Sequence, residues 1–225
     1  MNNSDHFGKQ HRSSNLDLLR IVATLFVIML HYNNTLGGKA FLYTKDLGYH
    51  FQLLLVLETF SICAVNLFVL ITGYFQSTSH RVTLAKPFML LAELTIISFS
   101  RFLIACALGQ DSFTISGLIQ CVIPTNWYIA VYIALYLCSP YINVIIKNLS
   151  PKQFKTMLLV LFCTFSIWAY LPTMVLDFTG FNMASPIGSG GSNDGYTVVN
   201  FVLLYTIGAY LRAFPFQQSS KRLLL

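Results

Sequence analysis

Charged side chains are scarce in this chain of 225 residues. Asp, Glu, Lys and Arg together make up 10% of it and hydrophobic residues 55%, whereas an ordinary soluble domain is about 25% charged. The mean hydropathy is +0.63. This composition excludes a soluble globular domain and predicts an integral membrane protein in a lipid bilayer.

Cysteine patterns typical of disulfide bridges or metal binding are missing too. The cysteines number five, include no CxxC pair and lie, apart from Cys121, inside apolar runs. A disulfide framework or a metal site is therefore disfavoured, and we expect no bound cofactor. No small-residue cleavage site follows the first apolar run, so we interpret that run as a retained helix and not as a signal peptide.

Long apolar sequence is abundant instead. A membrane core about 30 Å thick takes about 20 helical residues, and six runs approach that length, at 16–36, 51–74, 87–108, 127–146, 154–176 and, shorter than the rest, 197–212. Pro87 suits the first turn of a helix, and Asn126 is a suitable N-cap. The predicted fold is all-α, a polytopic transmembrane helix bundle with about six membrane spans.

Lysine and arginine mark alternate loops as cytoplasmic, because loops on that side of a membrane carry the excess of positive charge. They fall mostly in the N-terminal tail, after the second and fourth runs, and at the C-terminus. Both termini are therefore predicted to be cytoplasmic, with 1–14 as a polar tail. The formal charge of +6 is explained by topology, which disfavours a nucleic-acid partner. The outer segment 109–126 is long enough to dip back into the membrane surface or to shape the mouth of a cavity.

The first apolar run carries a polar stripe. At 100° per residue, Asp17, Arg20, Thr24 and His31 project within a sector of about 60°. Polar side chains at membrane depth almost always face a bundle interior or a water-filled cavity, because exposure to lipid costs several kcal/mol. The stripe therefore predicts that this face of the helix lines something other than lipid.

Two interpretations of His31 stand side by side. Arg20 lies close enough to the cytoplasmic end to reach the interface, but His31 lies about 16 Å deeper along the axis. It is either a structural histidine held by an interhelical hydrogen bond or a general base, since imidazole changes protonation near neutral pH.

Two more ionisable residues are predicted at a similar depth. Glu58 and Arg101 each lie about 10 Å from the outer end of their runs. One hypothesis is that Glu58 orients or charges His31 and that Arg101 completes the network. The alternative is a structural Glu58–Arg101 pair that joins the second and third helices.

Four stretches of the sequence carry distinctive motifs. The first is LDLLRIVATLFVIMLH (16–31), in which ten residues separate an arginine from a histidine. The second is an aromatic run that ends in T-G-Y-F, VNLFVLITGYF (65–75), and the third is a helix with W-Y and Y-L-x-S-P, NWYIAVYIALYLCSPYIN (126–143). The fourth contains Y-x-x-G-A-Y-x-R, VVNFVLLYTIGAYLR (198–212). In this order the four resemble the membrane-bound acyltransferase 3 family, and residues 15–212 are accordingly identified as an acyltransferase 3-like transmembrane domain.

The resemblance implies O-acyl transfer in a bacterial inner membrane. Family members move an acetyl or other short acyl group from acyl-CoA to a hydroxyl of an envelope polysaccharide or lipid-linked sugar, so acetyl-CoA is the expected co-substrate. His31 matches the catalytic histidine, with Glu58 as our candidate partner. Arg20 matches the arginine assigned to the acyl donor, and charge-assisted hydrogen bonds to phosphate suit that role.

The sequence also departs from the family pattern. Many members have Arg-x-x-Arg after the second helix, where this chain has STSHRVTLAKPF. Arg81 and Lys86 are candidate donor-binding residues there, with ordinary topological charges as the alternative. Members normally have about ten helices, so 213–225 reads as a cytoplasmic end that starts a missing seventh helix. A transporter or flippase and an inactive truncated remnant are the competing interpretations.

Overall fold

Helices account for the regular structure in a computed structural model that describes residues 14–34, 37–45, 48–79, 82–123, 126–168, 171 and 197–215. No strand occurs in these ranges, and the all-α prediction is confirmed. The helices are α1 Ser14–Asn33, α2 Ala40–Thr44, α3 Tyr49–Ser61, α4 Ala64–Gln76, α5 Ala85–Ala107, α6 Ile115–Val122, α7 Trp127–Lys147, α8 Pro151–Phe162 and α9 Val198–Ala213.

Four candidate membrane spans are long and apolar enough: Ser14–Asn33, Tyr49–Gln76, Ala85–Ala107 and Ile115–Lys147. The last combines α6 and α7 and includes residues 124 and 125, which lie outside the described residues. Helix α9 is also apolar but has only 16 residues. Helix α8 continues into a π-helical turn, Cys163–Ile167, and the predicted end of that run, 172–176, lies outside the described residues. The count of six spans and the side of each terminus stay predictions.

Local sequence explains where several helices begin. Asn126 caps α7 by accepting a hydrogen bond from the Ile129 N–H at 3.1 Å, as predicted. Ser150 and Gln153 form a reciprocal capping box at the start of α8. The second apolar run differs from its prediction, because it is interrupted at 62–63 and forms α3 and α4.

The chain forms two compact units, Met1–Ile71 and Thr72–Leu225. In the first, α1 and α2 pack on α3. In the second, α9 packs on α7 and α8, and α6 packs on α5. The core of the second unit is centred on α9, where Phe201 and Tyr205 are fully buried.

Large apolar side chains remain exposed along the long helices. On α1 they recur every three or four residues, at Leu18, Ile21, Leu25, Ile28 and Tyr32. A soluble protein would bury such a stripe, whereas lipid tails solvate it. The surface therefore agrees with the composition in describing a membrane protein.

Candidate active site on the first helix

The predicted polar stripe of α1 is open in the structure. Arg20 donates a hydrogen bond from Nη1 to Asp17 Oδ1 at 3.1 Å, one helical turn away. Thr24 Oγ1 donates to the Arg20 carbonyl at 2.9 Å. The Asp17 carboxylate thereby orients the guanidinium of Arg20, and both side chains stay accessible at the start of the helix.

His31 stands near the other end of the same stripe with its side chain exposed. Within the described residues its imidazole makes no hydrogen bond or ion pair, while its backbone carbonyl accepts from Gly38 N–H at 3.0 Å. The turn after α1 passes so close that a Cβ on Gly37 would collide with that carbonyl. The backbone of His31 is thus held and its ring is left available.

Glu58 makes no hydrogen bond with His31 in the described residues, and the hypothesis that it orients or charges His31 stays a prediction. Its Oε2 accepts instead from Asn33 Nδ2 at 2.8 Å, across the packing of α1 on α3. Asn33 lies only two residues from His31, but two residues turn the helix by 200°. His31 therefore points away from the face that meets α3, and a catalytic role for Glu58 stays a prediction.

Asn33 is the residue that the sequence interpretation missed in this unit. It is fully buried, and its Oδ1 finds no hydrogen-bond partner in the part of the chain that the structure describes. The available signal was its position opposite the polar stripe, on the side that α1 uses for packing. A buried amide opposite an exposed histidine indicates an interhelical contact.

The segment after α4 holds the predicted donor-binding residues. Arg81 lies outside the described residues. Lys86, in the first turn of α5, places its Nζ 5.5 Å from the centroid of the Tyr136 ring. The Tyr136 hydroxyl also accepts from the Thr83 N–H at 3.2 Å. This segment therefore contacts α7 through the backbone of Thr83 and through the ammonium group of Lys86.

A second contact holds the C-terminal end of α4 against α7. Asn143 Nδ2 donates to the carbonyls of Gln76 and Ser79, at 2.9 Å each. Asn143 Oδ1 accepts from the Tyr205 hydroxyl at 2.8 Å. One buried amide of α7 therefore donates to the carbonyls at the end of α4 and also bonds to α9.

Three of the four family-like stretches meet at Tyr205. A Cβ on Gly73 would collide with the Tyr205 backbone carbonyl, so the glycine of T-G-Y-F allows α4 to approach α9. Asn143 ends the S-P stretch and bonds to Tyr205. Arg212, from the last stretch, lies 5.0 Å from the Tyr74 ring centroid and 3.3 Å from its hydroxyl. The short motifs are therefore parts of one packed unit.

Ser139 and Pro140 form a matched pair inside α7. Proline lacks the N–H that would bond to the carbonyl four residues earlier, which belongs to Tyr136. Ser139 Oγ donates to this same carbonyl at 2.7 Å. The serine hydroxyl therefore replaces the missing backbone bond where a membrane offers no water.

Arg101 belongs to the second unit and Glu58 to the first, and the hypothesised pairing of the two stays a prediction. It lies in the wall of a cavity of about 610 Å³ formed by residues of α5, of α6 and of the segment between them. Its guanidinium makes no hydrogen bond or ion pair within the described residues. Residues within 110–121 of the segment 109–126 line this cavity, and that the segment forms a cavity mouth or dips back into the membrane surface stays a prediction.

The arrangement of these motifs agrees with comparison to known proteins. The model of the acyltransferase 3 family, described as an acyltransferase domain, matches residues 13–225. The chain belongs to the acyltransferase 3 family. It matches no curated protein and no solved structure.

Membership makes this protein a membrane acyltransferase, which requires an acyl donor and an acceptor. Such a reaction needs a group that removes a proton from the nucleophile and groups that hold the donor. His31, whose imidazole makes no hydrogen bond in the described part of the chain, and Arg20, which Asp17 orients, lie on one face of α1. They are the candidates for these two roles.

Proposed function

We propose that the protein is an O-acyltransferase of a bacterial inner membrane. It transfers an acetyl or other short acyl group from acyl-CoA to a hydroxyl of an envelope polysaccharide or lipid-linked sugar. The observation that carries the proposal is the open face of α1, where Asp17 orients Arg20 and the His31 ring is exposed without a bonding partner in the described residues. Family membership supplies the acyl-transfer class.

His31 acts as the general base in this proposal. The acceptor hydroxyl attacks the thioester carbonyl, a C–O bond forms, and the hydroxyl proton passes to the imidazole. The C–S bond then breaks, and the CoA thiolate leaves and takes up the proton. A positioned base of this kind contributes typically 10² to 10⁴-fold to the rate.

Arg20 holds the phosphates of CoA, and Arg81 and Lys86 assist it. Guanidinium binds phosphate through paired charge-assisted hydrogen bonds, whereas Lys acts as a point charge. Arg20 and His31 are separated by about 16 Å along the helix axis. The extended arm of CoA, which separates its phosphates from its thioester, is suited to bridge such a separation.

Labelled acetyl-CoA supplied to membranes that contain the protein tests the proposal. We compare the parent chain with His31→Ala and with His50→Ala, which removes an exposed histidine of α3. Label is expected in surface glycan with the parent and with His50→Ala, and at least 100-fold less with His31→Ala. Undiminished transfer by His31→Ala would refute the role of the base.

The donor role of Arg20 has a separate kinetic readout. Arg20→Gln is expected to raise KM for acyl-CoA, and Arg20→Lys to raise it less, because lysine keeps the charge and loses the paired geometry. An equal effect of both variants on kcat with unchanged KM contradicts donor binding. Absence of label with the parent, in membranes where it is stably inserted, contradicts acetyl as the group transferred to that glycan.

A further inference from the structure

The cavity beside Arg101 is built from two matching helix faces. Helix α5 contributes Ser98, Arg101, Phe102 and Ala105, which follow the spacing of one helical face. Helix α6 contributes Ser116, Gly117, Gln120 and Cys121, again from one face. The opposite side of α6 exposes Ile115, Ile119 and Val122. The short helix therefore turns its polar side to the cavity and its apolar side outward.

Close packing fixes these two helices against each other. A Cβ on Gly117 would lie 2.5 Å from the ring of Phe102, so only glycine allows α6 to approach α5 at this point. Thr114 caps α6 by accepting from the Gly117 N–H at 3.1 Å. The cavity wall is thus set by side-chain packing and a cap, and not by a loose loop.

Arg101 is the only charged side chain that α5 contributes to this wall. It lies six residues before the end of α5, about 9 Å along the axis, and Ser98 lies about 14 Å from that end. A guanidinium at membrane depth normally has a partner or an aqueous cavity. Arg101 has no protein partner in the described residues, and its planar donors suit a carboxylate or a phosphate.

The remaining wall suits hydroxyl groups. Asp111 accepts one bond from the Ser112 N–H at 2.9 Å through Oδ1, and its carboxylate has capacity for further donors. Gln110, Gln120 and the hydroxyls of the wall add donors and acceptors. Among the described residues, Phe102 is the one aromatic residue of the wall, and Phe113 packs against it from outside the lining, with ring centroids 5.8 Å apart.

We propose that this cavity is a subsite for a sugar bearing a carboxylate or a phosphate, the acceptor class of the acyl transfer proposed above, on which this inference rests. Arg101 binds the anionic group. Asp111 and the two glutamines bind hydroxyls away from it, since the Asp111 carboxylate repels a second anion. A polyhydroxylated anion also occurs in phosphatidylglycerol, but the two glutamine amides and the three hydroxyls of the wall offer more hydrogen-bonding groups than a glycerol headgroup uses, which favours a sugar.

Binding without any acyl donor tests the inference. The full chain in phosphatidylcholine nanodiscs is dialysed against labelled trigalacturonate and, separately, against maltotriose as a neutral trisaccharide. We expect trigalacturonate to bind at least 10-fold more tightly, and Arg101→Gln to remove that preference while Arg101→Lys keeps part of it. Lys155→Gln removes the same charge from an exposed position on α8 and is expected to bind as the parent does.

A second measurement needs no change at Arg101. In a Gln120→Cys chain, trigalacturonate is expected to slow the modification of the added thiol by a membrane-impermeant maleimide, beyond any effect on the parent's five cysteines. Equal binding of the two sugars, unchanged binding in Arg101→Gln, or no protection overturns the inference. If the thiol is protected only in nanodiscs that contain phosphatidylglycerol, and not by trigalacturonate, the cavity binds a lipid headgroup and the sugar proposal is overturned.

The two proposals fail separately in these assays. Acyl transfer to a neutral glycan together with no trigalacturonate binding overturns the subsite and leaves the acyltransferase standing. Binding that depends on Arg101 together with no transfer of any supplied acyl group contradicts the proposed O-acyl transfer and leaves an anionic-sugar site.

Discussion

Replacement of Asn143 by leucine tests how the segment carrying the donor-binding residues is held. The side chain is 2% exposed and makes three hydrogen bonds, two to the Gln76 and Ser79 carbonyls and one to the Tyr205 hydroxyl. Leucine has a similar volume but cannot make any of them. The change therefore removes the polar contacts with little effect on packing volume.

The expected cost follows from the number of bonds. Side-chain hydrogen bonds in a membrane protein average about 0.6 kcal/mol and reach about 1.7 kcal/mol. Three of them give about 2 to 5 kcal/mol of lost unfolding free energy. Tyr205→Phe removes the hydroxyl that bonds to Asn143 and Ser139 and is expected to cost about 1 to 3 kcal/mol. Asn143→Leu should also raise KM for acyl-CoA, because the segment leading to Lys86 loses an anchor.

Reversible unfolding in mixed micelles measures these free energies, and Asn148→Ala is the matched control. Asn148 lies on the same helix and donates to the Val144 carbonyl at 2.8 Å, but it is exposed, so its loss should cost less than about 0.5 kcal/mol. A cost for Asn143→Leu as small as that of the control would refute the reasoning. So would a double variant with Tyr205→Phe whose costs simply add.

Three further predictions concern single contacts. Ser139→Ala should lower the free energy of unfolding by about 1 to 2 kcal/mol, because a buried carbonyl loses its donor. Adding Pro140→Ala should recover most of this loss, which is measured by unfolding the double variant. Gly73→Ala should destabilise the protein by about 1 to 3 kcal/mol or more, because its methyl group meets backbone that cannot rotate away. Gly109→Ala is the control, since Gly109 has open space around it but a φ of 69°. The cost of that control measures backbone strain without a steric collision. Asn33→Asp sets a second carboxylate beside Glu58, so its destabilisation should exceed that of Asn33→Leu, because two like charges at hydrogen-bond distance repel each other. Equal losses of unfolding free energy in the two variants would contradict a close pair.

Sequence periodicity predicted the helices well because membrane spans depend mainly on local composition. Runs 87–108 and 127–146 agree with α5 and α7 to within two residues, and Asn126 marks a boundary through its own side chain. The polar stripe of α1 follows from helix geometry alone. These features need no knowledge of what the helix packs against.

The contacts between helices were less predictable. Depth along the helix axis predicted Glu58 at the level of His31, but depth carries no information on how α1 is rotated about its axis. In the structure Asn33 is the residue of α1 that bonds to Glu58. Arg101 likewise proved to face a cavity with α6, a helix too short to appear as an apolar span. The partner of Asn143 lies 62 residues away in the chain, so no local pattern reveals it.

The pairing of Ser139 with Pro140 also has a consequence for how such chains diverge. Loss of the serine first leaves the Tyr136 carbonyl without a donor, whereas loss of the proline first restores an ordinary helical bond and makes the hydroxyl redundant. The two substitutions are therefore accessible in one order and obstructed in the other. Among descendants of this sequence, we expect serine without proline to be a tolerated intermediate and proline without a hydroxyl or another donor to be rare.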